Sequence, residues 1–508
     1  AAPTSTPDDA DQAGANFGYS VASAGDVNGD GYSDVIIGAD FFDDGASTNE
    51  GRAFVYHGSA TGLPATPSNT PDDADQANAN FGRGIAGAGD VNGDGYSDVI
   101  IGAYQYDDGA NTNEGRVFVY HGSSTGLLAS PSSTPDDANQ LNAQFGRSVG
   151  CAGDVNGDGY SDVIIGCHWF DDGASADEGR AFVYHGSAMG LSASPDNTPD
   201  DADQALAYFG GSVAGAGDVN GDGYSDVIIG AYTYDDGANM GEGRAFVYHG
   251  SATGLSATPN STPDDADQAG VNFGLWVASA GDVNGDGYSD VIIGGPFYDD
   301  GANANEGRAF VYHGSAAGLS ATPNNTPDDA DQANAAFGFS VSTAGDVNGD
   351  GYSDVIIGAY QYDDGANIGE GRAYVYHGSA TGLSAIPNST PDDANLVSAG
   401  FGISVSTAGD VNGDGYSDVI IGAYVFNDPP NGNEGRAFLY NGNELTANKR
   451  NNLRLYNSDL ITPINDNNFI IGNFGAGLFA KSFLGRDKGK LVWETRINYN
   501  AYSGNPIT

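Results

Sequence analysis

Carboxylates recur in this chain at a spacing that suits a metal ion. The nonapeptide DVNGDGYSD occurs seven times, first at Asp26 and then every 64 residues as far as Asp410; we call these segments the acidic loops. Side-chain oxygens stand at positions 1, 3, 5 and 9, position 7 can offer its backbone carbonyl, and glycine at position 6 permits a sharp turn. Oxygen-only ligands suit Ca²⁺, which takes about six to eight of them, better than the smaller Mg²⁺.

The sequence therefore predicts about seven structural Ca²⁺ ions, one in each acidic loop. EF-hand geometry is not expected, because position 12 is Ile37 instead of glutamate and no helical pattern flanks the loop. An Asx-rich turn without metal is the alternative. The predicted ligands are Asp26, Asn28, Asp30, Tyr32, Asp34, Asp90, Asn92, Asp94, Tyr96, Asp98, Asp154, Asn156, Asp158, Tyr160, Asp162, Asp218, Asn220, Asp222, Tyr224, Asp226, Asp282, Asn284, Asp286, Tyr288, Asp290, Asp346, Asn348, Asp350, Tyr352, Asp354, Asp410, Asn412, Asp414, Tyr416 and Asp418.

The elements that position these loops are predicted to be strands. In the first repeat, FGYSVASAG (17–25), VIIGA (35–39) and RAFVYHG (52–58) have strand-like patterns, and VIIGA is apolar enough to be buried on both faces. Residues 59–76 carry three prolines and supply at most an irregular edge strand. Each repeat is thus predicted to be a four-stranded antiparallel blade. A fixed 64-residue period predicts a seven-bladed β-propeller over residues 1–442, in an all-β fold.

The N-terminal segment is predicted to close the ring of blades. Residues 2–13 match residues 66–77, which follow the third strand of the first repeat, so the chain begins with a fourth strand and its last repeat ends on a third. We therefore expect the N-terminal segment to supply the outer strand of the last blade. The chain has no signal-peptide pattern, so we expect Ala1 to begin a processed chain or a fragment of a longer multidomain protein.

Charge excludes several classes of partner. The formal net charge is −51, and residues 443–508 hold eight of the 17 Lys and Arg but only five of the 68 Asp and Glu. The repeats therefore hold nine basic and 63 acidic residues, which should repel nucleic acid and anionic membrane surfaces. No apolar run approaches the roughly 20 residues that span a bilayer, so direct membrane insertion is not expected.

The chain has two cysteines, and both flank the third acidic loop. Cys151 and Cys167 lie nearly symmetrically about that loop, so in an antiparallel hairpin they are expected to face each other. A cross-strand disulfide and a pair of small buried thiols are both compatible with this spacing.

The repeats resemble a known family. Phe17-Gly18, the acidic loop and the small residues Gly38-Ala39 (Gly294-Gly295-Pro296 in the fifth repeat) are similar to the FG-GAP repeat of the integrin α-subunit propeller and of many secreted bacterial proteins. The resemblance implies a seven-bladed propeller with calcium in the loop between the first two strands of each blade, and ligands on the opposite face. The near-identical copies look more like bacterial surface proteins than animal integrins. Residues 443–508 are similar to the start of a β-sandwich that follows such propellers.

On that fold, the loop between the second and third strands lies opposite the acidic loops. It begins with a variable triplet that is rich in aromatic residues and is followed by carboxylates. Such residues suit stacking on sugar rings or docking of a basic or aromatic peptide, although packing between blades is an alternative. The candidate ligand-binding residues are Tyr104, Tyr106, His168, Trp169, Phe170, Tyr232, Tyr234, Phe297, Tyr298, Tyr360 and Tyr362.

The expected function is adhesion or ligand binding outside the cell. Extracellular modules bind calcium with Kd values of about 10⁻⁴–10⁻³ M, too weak for cytosolic calcium, so we expect a secreted or surface-attached protein whose ligand is a glycan or a protein. No nucleophile with an orienting base, phosphate loop or dinucleotide fingerprint is present, so we expect no enzyme activity. The alternatives are a rigid spacer or filament component, and an accessory propeller of a secreted hydrolase.

Overall fold

The structure, a computed structural model, describes residues 2–442 except 9, 174, 265 and 428–430, together with the backbone of two short strands farther along the chain. The regular elements of this described part are strands. It contains no helix long and apolar enough to cross a bilayer.

Each repeat forms one three-stranded antiparallel sheet, or blade, with its strands in chain order from the inside outward. The inner strands are β1 (Ser20–Gly25), β4 (Phe81–Gly89), β7 (Ser148–Gly153), β10 (Phe209–Gly217), β13 (Val277–Gly281), β16 (Phe337–Gly345) and β19 (Phe401–Gly409). The middle strands are β2 (Asp34–Ala39), β5 (Asp98–Ala103), β8 (Asp162–Cys167), β11 (Asp226–Ala231), β14 (Asp290–Gly295), β17 (Asp354–Ala359) and β20 (Asp418–Ala423). The outer strands are β3 (Arg52–Tyr56), β6 (Arg116–Tyr120), β9 (Arg180–Tyr184), β12 (Arg244–Tyr248), β15 (Arg308–Tyr312), β18 (Arg372–Tyr376) and β21 (Arg436–Tyr440).

The seven blades, numbered 1 to 7 in chain order, form a closed ring. Each inner strand contacts the inner strand of the next blade, and β19 of blade 7 contacts β1 of blade 1. This is the arrangement of a seven-bladed β-propeller, and it confirms the all-β repeat architecture.

The hydrophobic core is divided among the contacts between neighbouring blades. Ile36 packs toward blade 2, against Phe81, whereas Val35 and Ile37 pack toward blade 7. Successive side chains of a strand point to opposite faces, so one apolar run serves two interfaces. Every residue of β2 is buried, as the sequence predicted. Full burial of a side chain such as Phe81 stabilises the fold by roughly 1.5–3 kcal/mol.

The fourth strand predicted for each blade is not confirmed, because the sheets of the blades have three strands each among the described residues. After β3, the chain makes a single antiparallel bridge between Val55 and Asn69, and the Ala53 amide donates to the carbonyl of Pro71 at 3.1 Å. Proline has no amide proton, so a segment with three prolines cannot continue the hydrogen-bonded ladder.

The N-terminal segment makes the same contacts with the last blade. The Thr4 amide donates to the carbonyl of Leu439 at 2.8 Å, and the Leu439 amide donates to that of Ser5 at 2.9 Å. The Ala437 amide donates to the carbonyl of Pro7 at 3.0 Å. The start of the chain therefore occupies the outer edge of blade 7.

The prediction that the two cysteines face each other is wrong. Cys151 pairs with Val163 in the β7–β8 ladder, whereas Cys167 lies at the far end of β8, opposite Arg180 of β9. No disulfide joins Cys151 to Cys167. Cys167 is buried and its Sγ donates to the carbonyl of Ala143 at 3.1 Å, and burial raises the pKa of this thiol.

A close approach between blades explains the small residues after each apolar run. A Cβ added to Gly38 would lie 2.0 Å from the carbonyl oxygen of Gly82, in the Phe-Gly pair of the next blade. Any side chain at this position would separate the two blades, so the Phe-Gly and Gly-Ala motifs fit one another across the interface.

Beyond the propeller, strands β22 (Leu453–Asn457) and β23 (Phe474–Leu478) pair antiparallel. The rest of residues 443–508 lies outside the described residues. The β-sandwich expected there stays a prediction.

Candidate functional site

The seven acidic loops lie on one face of the propeller. Each joins an inner strand to the middle strand of the same blade, and position 9 of the loop is the first residue of the middle strand. All seven loops therefore occupy the same end of the blades.

Carboxylates at the start of each loop hold its backbone. In blade 1, Asp26 Oδ1 accepts hydrogen bonds from the amides of Gly29 and Asp30 at 2.7 and 3.1 Å, and Oδ2 accepts from Gly31 at 2.9 Å. Asp30 Oδ1 accepts from the Tyr32 amide at 3.0 Å. The glycines and alternating Asx residues thus fold the loop tightly around its acidic groups.

The carboxylate at position 9 is buried, and no basic side chain of the described residues pairs with it. Asp34 has no exposed surface, and its oxygens accept hydrogen bonds from the amides of Val27 and Gly58 at 2.9 and 2.8 Å. No ion pair to Asp34 is found among the described residues. Burial raises the pKa of Asp34 to about 7, and Asp26 and Asp30 add to the increase.

The other six loops repeat this electrostatic pattern. In each loop, burial is the main cause that raises the pKa of the position 9 carboxyl group, and the carboxylates at positions 1 and 5 raise it further. The pKa at position 9 is raised to about 7 in Asp98, Asp290 and Asp418 and to about 8 in Asp162, Asp226 and Asp354.

The donors of each loop fit calcium by their chemistry. Among the described residues, no three Asp, Glu, His or Cys side chains converge closely enough to hold a metal by themselves. The predicted set also includes an asparagine oxygen and a backbone carbonyl, which Ca²⁺ accepts. A buried carboxylate beside two others is unfavourable unless a cation offsets it, and this holds seven times in the ring.

Neighbouring acidic loops are tied to one another. The Asp26 amide donates to Ser97 Oγ of the next loop at 3.1 Å, and the Ser97 amide donates back to the Asp26 carbonyl at 3.0 Å. A Cβ added to Gly29 would lie 2.6 Å from the nearest carbon of the Tyr96 ring, so this ring packs directly against the glycine. The tyrosine and serine at positions 7 and 8 therefore connect the loops between blades.

This chain of contacts closes on itself. The Asp410 amide of blade 7 donates to Ser33 Oγ of blade 1 at 3.1 Å, and the Ser33 amide donates to the Asp410 carbonyl at 3.0 Å.

The aromatic triplets lie on the opposite face, where the middle strands end. Their third-position rings pack inside the blades: Tyr106 lies edge-on to Phe118, and the guanidinium of Arg116 lies 4.4 Å above its centroid. The same pattern holds in the other blades, so we assign these rings to structure instead of ligand contact. They are Phe42, Tyr106, Phe170, Tyr234, Tyr298, Tyr362 and Phe426.

The first and second triplet positions differ in exposure. Tyr104 and His168 are buried, whereas Tyr232 and Tyr360 are half-buried. At the second position, Trp169 is 37% exposed and Phe41 of blade 1 is 40% exposed. Phe297 is half-buried.

The residue after each Phe-Gly pair lies beside the triplets, and the sequence analysis missed it. This position differs among blades, although the residues around it are nearly constant, and that variation was a usable signal. In blade order the residues are Tyr19, Arg83, Arg147, Gly211, Leu275, Phe339 and Ile403.

These residues lie just before or near the start of the inner strands, which surround a central channel enclosing about 310 Å³. Arg83, Arg147, Leu275 and Phe339 line the channel, and Tyr232 joins them. We call the end of the channel opposite the acidic loops the channel mouth. One side of it is basic and aromatic and the other is apolar.

Blades 1 and 2 contribute an ion pair to the mouth. Arg83 Nη1 lies 3.0 Å from Oδ2 of Asp40, which has no exposed side-chain surface, and the Arg83 guanidinium lies 3.6 Å above the Tyr19 ring. This cation is therefore already neutralised by the protein.

Blades 3 and 4 contribute a row of rings. The centroids of His168 and Trp169 are 5.3 Å apart, and Tyr208 lies 6.0 Å from His168 and stacks on Tyr232 at 5.3 Å. A Cβ at Gly211 would lie 2.6 Å from the Tyr232 ring, so the missing side chain makes room for that ring at the channel.

Comparison with known proteins agrees with this geometry. The FG-GAP repeat family matches residues 17–56, 81–120, 145–184, 209–248, 273–312, 337–376 and 401–440. The chain belongs to the FG-GAP repeat family. Each match begins at a Phe-Gly pair and ends in an outer strand, so it covers one blade.

Relatives of this FG-GAP protein include integrin α subunits. It is 34% identical to integrin alpha-5 of Xenopus laevis over 193 residues, which is 37% of this chain and 18% of that protein. Identity to integrin alpha-IIb of Mus musculus is 35% over 164 residues, or 31% of this chain and 15% of that protein. The chain thus spans less than a fifth of these relatives.

Solved structures give a looser likeness. An exotype rhamnogalacturonan lyase aligns with 87% of this chain and 75% of its own at 14% identity and a TM-score of 0.40. The Saccharomyces cerevisiae protein Sqt1 aligns with 86% of this chain and 98% of its own at 10% identity and a TM-score of 0.43.

Proposed function

We propose that this chain is a calcium-stabilised ligand-binding propeller of a secreted or surface-attached adhesion protein, with no enzyme activity of its own. The observation that carries the proposal is where the sevenfold symmetry fails. The acidic loops are identical in all seven blades, whereas the residues around the channel mouth differ from blade to blade. A symmetric ring needs no such differences for its own packing, and an asymmetric ligand does.

Calcium has a structural role in this proposal. Asp, Asn and the position 7 carbonyl of each loop hold one ion, which supplies the positive charge that the buried position 9 carboxylate lacks. Because successive loops are bonded to each other around the ring, calcium in one loop supports the next. The extracellular location follows from the weak affinity of such loops.

The ligand surface of the proposal is the part of the channel mouth formed by blades 3 and 4. Trp169 is an exposed aromatic ring beside this surface, at one end of the row that ends at Tyr232. An exposed ring beside half-buried ones suits the apolar faces of sugar rings, and it also suits aromatic or apolar side chains of a protein ligand.

A binding screen with matched variants tests this function. The calcium-loaded protein is screened against glycan and extracellular protein arrays, and Trp169→Ala is compared with Phe41→Ala, which changes the equivalent exposed residue of blade 1. We expect Trp169→Ala to weaken binding at least about tenfold, with an unchanged melting temperature, while Phe41→Ala binds as the parent chain does. A folded protein without any ligand would favour a rigid spacer and contradict the proposal.

A further inference from the structure

Arg147 differs from the other arginines of the propeller. Each of the other eight lies within 4.0 Å of a carboxylate. Arg147 makes no ion pair, and its guanidinium donates no hydrogen bond, among the described residues. In repeats with 63 acidic residues and nine basic ones, an arginine that pairs with no carboxylate among the described residues keeps its charge available.

The surroundings of Arg147 are aromatic and uncharged apart from one neutralised cation. Its guanidinium lies 5.8 Å from the Tyr104 centroid and is near His168 and Tyr232. Burial holds the pKa of His168 well below its ordinary value, and Arg147 and Arg83 lower it further, so this imidazole is neutral. Arg83 is the nearby cation, and Asp40 neutralises it.

The position of Arg147 makes its charge available to a ligand. The side chain is half-buried and lines the channel mouth beside Tyr232. The acidic loops lie at the other end of six-residue strands, about 20 Å away, which is more than two Debye lengths at physiological salt. Their charge therefore has little effect on an anion bound at the mouth.

We propose that blades 3 and 4 of the channel mouth bind the carboxylate of an acidic sugar unit, which names the ligand class of the function proposed above and rests on it. The planar guanidinium of Arg147 takes the carboxylate in a two-pronged hydrogen bond. The rings of Tyr232 and Trp169 take the apolar faces of the sugar and its neighbour.

The local charge favours a singly charged carboxylate over phosphate or sulfate clusters. One free guanidinium matches one carboxylate, and the propeller contains no lysine. Because Asp40 neutralises Arg83 and the propeller has no lysine, the site favours ligands that carry few, separated charges.

The experiment compares short uronic-acid oligosaccharides with the same oligosaccharides after reduction of the carboxyl group to an alcohol. Binding to the calcium-loaded protein is measured by calorimetry at physiological salt. We expect the acidic form to bind and the reduced form to bind about 10- to 100-fold more weakly, the range for a hydrogen-bonded charge.

Variants at two equivalent positions localise the effect. Arg147→Gln is expected to lose the same factor for the acidic sugar and to bind the reduced sugar as the parent chain does. Arg147→Lys should restore part of the binding. Leu275→Gln introduces the same side chain at the equivalent position of blade 5, and it should leave binding unchanged.

The outcomes separate this inference from the proposed function. If neutral glycans or a protein bind at blades 3 and 4 and the carboxyl group has no effect, the inference is overturned and the proposed function stands. If a peptide with a free carboxylate binds through Arg147 and uronic acids do not, the sugar assignment is overturned. If no ligand of any class binds, both fail.

Discussion

Single residues in the acidic loop have two separable tasks. The aspartates fold the loop and are the predicted calcium ligands, whereas Tyr96 and Ser97 at positions 7 and 8 contact the loop of the preceding blade. Seven identical copies of a nonapeptide therefore do not show that all nine residues serve the metal. The structure assigns part of the motif to contacts between blades.

His168 gives a prediction at the same scale. Its pKa is held well below the ordinary value by burial, then by Arg147 and Arg83, and its Nδ1 has no partner among the described residues. The unfolded chain takes up a proton as pH falls through about 6.5, and the folded protein does not. Stability that is present above that pH is therefore lost below it, by up to about 1.4 kcal/mol per pH unit.

The measurement is the melting temperature between pH 7.5 and 5.5 for the parent chain and His168→Tyr, which installs the residue found at the equivalent place in four other blades. The parent chain should lose stability more steeply on acidification. Equal slopes would show that His168 takes up its proton in the folded state.

At the scale of elements, the sequence predicted most of the fold and less of the site. The 64-residue period and the apolar run 35–39 correctly predicted the blades, because both features can be read directly from the sequence pattern. The fourth strand was not confirmed, because residues 59–76 contain three prolines, which cannot donate hydrogen bonds to a neighbouring strand. Arg147 was missed because its role depends on which strand is innermost, a property of the ring and not of one repeat.

The N-terminal segment gives the prediction at this scale. Deleting residues 1–8 removes its backbone hydrogen bonds to β21 and the ion pair between Asp8 and Arg436 at 2.5 Å. We expect the free energy of unfolding to fall by about 3–6 kcal/mol, at about 1 kcal/mol per hydrogen bond and more for the uncovered core. Thermal melting measures the change.

Two controls distinguish ring closure from a local effect. Asp8→Asn should destabilise no more than Asp72→Asn, which breaks the equivalent ion pair with Arg52 inside blade 1. A synthetic peptide of residues 1–14 should restore the melt of the shortened chain when added in trans. A shortened chain that melts like the parent would contradict the closing role.

At the scale of the whole molecule, stability is shared around a ring with no free end. Each blade buries its apolar faces against two neighbours, and the acidic loops repeat that circular connection on one face. Opening one interface removes a packing partner from the blades on both sides of it. We therefore expect the propeller to unfold as one unit instead of blade by blade.

Calcium removal tests this sharing. At free calcium ten- to a hundredfold above Kd, each site contributes about 1.4–2.7 kcal/mol, and seven sites together correspond to a change in melting temperature of about 10–20 °C for a domain of this size. Excess chelator should lower the melting temperature by that amount, in one transition. Refilling with Mg²⁺ should recover little, and a melt indifferent to chelator would refute the structural role.

The bond between Thr4 and Leu439 spans 435 residues, which sets an order of events during synthesis. A ribosome adding about 5–20 residues per second needs roughly 20–90 s to proceed from Thr4 to its partner Leu439. Throughout that interval the residues around Thr4 have no strand β21 to pair with. The blades made during that interval therefore form an open arc, and the ring closes only after the seventh blade has left the ribosome.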